Sequence, residues 1–281
     1  MRLPPAPRST QGFSLVEMAV VLVIVGLLLV GLLLPLGAQM EQRNVSATQG
    51  QLEAAREALI GFAIANGRMP CPARSSSAGA EVRVADDDAV VANRGKCQDA
   101  GGIEDYYGGT LSDGSVGGLL PAVTIGLQPV DSAGFALDAW GNRIRYAVAK
   151  TVSGTGCAGT LPHFVHAANL KANGLTCLPS DLIICSAAQA VAAGNACSAG
   201  TAVTNKEVVA VIVFSTGKNG ALGPQGSNEA ENVNGQGTVN RVFVSKTPDP
   251  AGATGGEFDD LLVWIPAGVL YGKLISAGVL P

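Results

Sequence analysis

The sequence predicts an α+β protein: one long N-terminal helix, then an antiparallel β-sheet head with disulfide-closed loops. Three observations carry this. An uncharged apolar run of 23 residues, Met18–Met40, passes into a segment whose apolar residues recur every three or four positions. Short β-branched runs separated by Gly-, Asn- and Ser-rich turns fill the second half. Six cysteines lie wide apart downstream of the apolar run.

The apolar run is roughly 34 Å long as a helix at about 1.5 Å per residue, enough to span a bilayer. Arg2 and Arg8 precede it, which keeps the N-terminus cytoplasmic and sends the remainder across. An ordinary secretory signal would be shorter and end in a small-residue cleavage site. Pro35 is expected to kink or interrupt the helix. Beyond it, Val45, Thr48, Leu52, Ala55, Leu59 and Phe62 form one apolar stripe, opposed by Gln42, Arg43, Gln49, Glu53 and Arg56. Asn66-Gly67 supplies a C-cap, and Pro70 and Pro72 forbid further helix. Gly50 weakens this stalk and marks either a close contact or a bend.

In the head, residues 71–120 read as a long loop region with a short strand. Asp138-Ala139-Trp140-Gly141-Asn142 is a turn launching a strand in which Ile144, Tyr146 and Val148 alternate with Arg143 and Arg145. Further strands are expected around 182–185, 208–214, 239–244 and 261–265. Cys71, Cys97, Cys157, Cys177, Cys185 and Cys197 form no CxxC, and the chain has only two histidines, so disulfides in an oxidising compartment are expected rather than zinc. Several connectivities are open. Neighbour pairing would give Cys71–Cys97, Cys157–Cys177 and Cys185–Cys197.

Charge and motif exclude several functions. A net charge of −4 without a basic cluster offers no nucleic-acid footprint. No G-x-S-x-G, H-E-x-x-H or strand-linked G-x-G-x-x-G is present, and Gly217-Lys218-Asn219-Gly220 is not a P-loop. His163 and His166 read as surface or packing residues without a nearby carboxylate. Asp259 and Asp260, read as neighbours in a strand, point to opposite faces and share no chemistry. An enzyme is therefore not expected, and no cofactor is required. Asp86, Asp87 and Asp88 invite a calcium reading, but the D-x-D-x-D-G spacing of a calcium loop is absent.

Gly12-Phe13-Ser14-Leu15-Val16-Glu17 ahead of an apolar helix resembles the cleavage and methylation signature of type IV prepilins and type II secretion pseudopilins. The resemblance implies that a prepilin peptidase/methyltransferase cuts between Gly12 and Phe13 and methylates the new Phe13 amine. It also implies that Glu17 meets the terminal ammonium of a neighbouring subunit during assembly. The domains would be a leader at 1–12, a transmembrane assembly helix at 13–36, an amphipathic stalk at 37–67 and a periplasmic or extracellular head at 68–281. Membrane lipid, other pilin or pseudopilin subunits and an inner-membrane assembly platform would be the partners. The "DAWGN" turn is similar to the heads of pseudopilins, some of which bind calcium, and the "STGKNG", "NEAEN" and "FDDLLVWIP" tracts loosely resemble large prepilin-like proteins of bacteria. A large head points to a minor, tip or initiation subunit. Two other readings stay open: a periplasmic binding or enzymatic domain on an uncleaved signal anchor, and a pilus-tip adhesin.

Overall fold

The computed structural model describes residues 12, 14–150, 152–154, 157, 162–188, 196–233 and 241–280, and for 29–36 and 153 only the backbone. Two compact units emerge, residues 1–45 and 46–281. Helix α1, Leu15–Asn66, runs through both. Pro35 does not end it; the kink expected there falls where side chains are not described. Among the described residues no helix is long and apolar enough to cross a membrane, and the expected span at 13–36 lies partly outside them.

From Ser46 onward α1 belongs to the larger unit, so the stalk's packed part starts later than position 37. Its buried face comprises Thr48, Leu52, Ala55, Leu59, Ile60 and Ala63. The predicted stripe is right in its centre and drifts at its ends. Val45 and Phe62 are only half-buried, because steps of four residues after Leu59 carry the buried line to Ala63. Gly67 ends the helix in the left-handed region (φ 67°), its N–H donating to Ala63 O at 2.8 Å. A Cβ on Gly50 would meet nothing within 4 Å, so neither a close contact nor crowding explains this glycine. Gly50→Ala is expected to stabilise the head unit by about 0.5–1 kcal/mol through helix propensity alone, read as a rise in urea midpoint.

The chain leaves α1 through a tightly fastened exit. Arg68 forms a two-pronged pair with Glu81 (2.7 and 2.9 Å), and Glu81 also accepts from Cys71 N–H at 2.9 Å. Met69 N–H donates to Phe164 O at 2.8 Å, and Tyr146 Oη donates to Pro70 O. Cys71 is bonded to Cys97.

The region 71–120 is mostly loop, with a small hairpin of β1 (Gly109–Thr110) and β2 (Val116–Gly117). After α2 (Ala122–Ile125) come β3 (Arg145–Val148), β4 (Val152–Ser153), α3 (Ala167–Asn173), β5 (Leu178–Pro179) and β6 (Ile183–Cys185). Next follow β7 (Val209–Ser215), α4 (Ser227–Val233), β8 (Val242–Val244), β9 (Leu261–Pro266) and α5 (Ala267–Ser276). The main sheet is antiparallel, in the order β3-β7-β9. Every residue of the central strand β7 is buried, which its unbroken VVAVIVF run anticipates for a strand covered on both faces. Tyr146, Val211, Val213 and Ile265 join Leu52, Leu59 and Ala63 of α1 in one continuous core, with Leu270, Tyr271 and Leu274 of α5.

The expectation of a wholly antiparallel head needs correction. β6 and β8 form a separate parallel pair, Ile183 opposite Val242 and Cys185 opposite Val244. Residues 234–240, part of the strand expected at 239–244, lie outside the described residues. The three disulfides join neighbours: Cys71–Cys97, Cys157–Cys177 and Cys185–Cys197. Each tethers a loop, lowering the entropy of the unfolded chain.

Candidate functional site

Two places gather polar chemistry. The first is the start of α1. Gly12 is exposed and Phe13 lies outside the described residues. Ser14 is the residue immediately before the helix. Its Oγ accepts from Glu17 N–H at 3.2 Å, and its own N–H donates to Glu17 Oε2 at 2.8 Å. This reciprocal S-x-x-E arrangement satisfies two of the backbone donors that a helix start leaves open. Along the helix Leu15, Leu22 and Leu27 are 88, 66 and 69% exposed, an apolar surface left open among the described residues.

The second place is acidic. Asp259 and Asp260 precede β9 rather than lying inside it, so strand alternation does not separate them. With Glu229 of α4 they offer three carboxylate oxygens within 4.8 Å of one another. Glu229 accepts from Asn219 Nδ2 (2.9 Å), Gln225 N–H (2.7 Å) and Asp259 N–H (3.3 Å). Asp259 Oδ2 accepts from the Lys218 and Asn219 N–H groups, while its buried Oδ1 has no partner among the described residues. Asp260 accepts from Asn232 Nδ2 at 2.7 Å. Burial, reinforced by the neighbouring acids, pushes Asp260 up to about 8 and Asp259 up to about 6. Three hard oxygen donors suit a divalent cation or, without one, shared protons.

Against this geometry the comparisons fall on one place. A family model, the prokaryotic N-terminal methylation motif, matches residues 7–33. The chain carries the prepilin-type signature. It matches no curated protein and no solved structure. The matched stretch contains Gly12, Phe13 and Glu17, and the signature covers the first of the two places alone. It adds nothing about the acidic cluster or the rest of the head.

Beside the prepilin-type signature, the structure places the other residues singled out in the sequence. Asp86, Asp87 and Asp88 do not converge. Asp86 pairs with Arg83 and stands 3.5 Å from His166 Nε2, and Asp88 accepts from Val90 N–H. His166 therefore does have a carboxylate beside it, contrary to expectation. Its Nδ1 accepts from Asn169 N–H, capping α3. His163 is a packing residue: its Nε2 lies 3.0 Å from Tyr271 Oη, and burial pushes it down to about 4, which keeps it neutral. Sequence reasoning missed Ser14 and Glu229. The S-x-x-E spacing was visible for the first; nothing local marked the second.

The acidic cluster makes a pH prediction. Below about pH 4 both the folded and the unfolded chain hold these protons. Between there and about 8, the folded chain binds protons that the unfolded chain has released, so stability falls as pH rises, by at most about 1.4 kcal/mol per pH unit for each proton. In chelator, the melting temperature should drop from pH 5 to pH 8.5, and Asp260→Asn should flatten the drop. An equal or higher melting temperature at pH 8.5 would contradict the assignment.

Proposed function

We propose that this chain is the precursor of a pilin-like structural subunit rather than an enzyme. Prepilin peptidase removes residues 1–12, Phe13 becomes the N-methylated amino terminus, and the apolar segment from Phe13 to Leu36 holds the subunit in the inner membrane with its head in the periplasm. The subunit then assembles through that segment into a type IV pilus or a type II secretion pseudopilus. The observation that carries this reading is the Gly12–Phe13 bond set just ahead of a capped helix start bearing Glu17, within the matched methylation motif.

The physics supports it. A carboxylate at the centre of a membrane helix costs roughly 2.5–3.5 kcal/mol on insertion scales, and Glu17, nearer the edge of the apolar segment, carries part of that cost. The capping box satisfies only part of it. Cleavage creates an ammonium on Phe13, and in a staggered bundle the acid of one subunit can neutralise the amine of the next, which favours association and sets axial register. At least 281 − 12 = 269 residues would follow the cleavage site. So large a head crowds a thin filament at high copy number, which favours a minor subunit at the tip or in an initiation complex.

The test is intact mass and N-terminal sequencing of the membrane-bound chain, expressed with and without prepilin peptidase. The reading requires a methylated chain beginning at Phe13 when the peptidase is present. Retention of Met1–Gly12 under those conditions would establish the uncleaved-anchor reading instead.

A further inference from the structure

β9 is an edge strand with its open side facing a groove. Ala149 N–H donates to Ala210 O, so the even-numbered members of β7 turn their backbone groups toward β3. The odd-numbered members, Val211, Val213 and Ser215, therefore face β9, opposite Ile265, Val263 and Leu261. By the same alternation Leu262 and Trp264 direct their N–H and C=O groups away from the sheet. Neither amide has a partner among the described residues.

That edge lines a groove of about 390 Å³ whose opposite wall is α1. Leu262 through Pro266 all line it, although consecutive strand residues point to opposite faces. What the groove presents is thus the backbone edge itself. Ile60 and the 47%-exposed Val269 make its walls apolar. Arg56 closes one side. Its Nη2 is held by Glu53 and Glu57, while its buried Nε has no acceptor among the described residues. β9 carries no charge and no proline before its last residue, and the one irregularity in its pairing is a register shift opposite Val209–Val211 at its end.

We propose that this groove receives an extended segment of another polypeptide, apolar at alternate positions, which adds to the main sheet as a fourth strand beside β9. Leu262 and Trp264 supply the ladder bonds, and the incoming side chains rest on Ile60 and Val269. The orphaned donors and the apolar walls together select an extended peptide over a helix, whose own donors are already satisfied. The inference does not depend on how the N-terminus is processed.

The test is amide hydrogen exchange on the full-length chain in detergent. The probe is a synthetic peptide copying Val209–Ser215 with a lysine at each end. Saturating peptide should slow exchange at Leu262 and Trp264 by about tenfold or more. Val269→Arg, which obstructs the groove without touching the core, should abolish the effect. Trp264→Pro removes one outward N–H while sparing the β7 ladder, and should abolish it at Leu262; if that variant unfolds, Val269→Arg decides alone. No added protection, or protection confined to other amides, overturns the proposal. So does protection already present without peptide in a species of dimer mass, which would assign the edge to a second copy of the chain.

Discussion

Glu17→Gln is expected to leave cleavage after Gly12 intact and to reduce assembly by about tenfold or more, since even ~1.4 kcal/mol lost at each subunit contact is a factor of ten. Glutamine is the informative replacement because it keeps the capping box: its side-chain carbonyl still accepts from Ser14 N–H, and its own N–H still donates to Ser14 Oγ. Helix content by circular dichroism should not change. Ser14→Ala does the reverse, weakening the helix start by about 1 kcal/mol while keeping the acid, and should assemble far better than Glu17→Gln. If both variants assembled alike, the carboxylate would matter only as a cap, and pairing between subunits would be lost as an explanation.

Asp138→Ala should be the most damaging single change in the head. Asp138 is 5% exposed, and its two oxygens tie the turn to the end of β7. Oδ1 accepts from Trp140 N–H (3.0 Å) and Asn142 N–H (2.7 Å), shaping the turn, while Oδ2 accepts from Ser215 Oγ (2.5 Å) at the end of β7. Asn142 Nδ2 then donates to Gly217 O at 2.6 Å, and Ala139 N–H donates to Thr48 Oγ1 on α1. Alanine would leave the Trp140 and Asn142 amides and the Ser215 hydroxyl without their carboxylate acceptor, at a cost of about 3–5 kcal/mol. For a unit of this size that is a fall of roughly 10 °C in melting temperature. Asp138→Asn should cost less, because one oxygen remains. A loss below about 1 kcal/mol would show that water replaces the carboxylate readily.

The elements that sequence could reveal are those fixed by local repetition. Leu52, Ala55 and Leu59 followed from helical periodicity, and β7 from its apolar run. The turn at Asp138–Asn142 was also legible, though its reach to Ser215 and Thr48 was not, because those partners are far away in the chain. The same limit hid the parallel β6–β8 pair and the meeting of Glu229 with Asp259 and Asp260. Reading those two aspartates as strand residues was reasonable from "FDDLLVWIP", yet the strand begins at Leu261, and the irregular backbone before it lets both side chains reach Glu229. Arg74 was unreadable for another reason. A lone arginine in a Ser-rich loop looks solvated, but it is 2% exposed and held by Asp99 and the Ile103 carbonyl.

The fastened exit from α1 has a mechanical consequence. Tension along the helix axis that outlasts the packed stretch of α1, Thr48 to Ala63, would next reach the exit between Asn66 and Cys71. There it meets the Arg68–Glu81 fork, the Met69 amide and, two residues later, a covalent bond to Cys97. Load would pass through that sulfur bridge into the loop around Cys97 before it could peel β3 from β7, so a reducing environment should make the head yield at a lower force than an oxidising one.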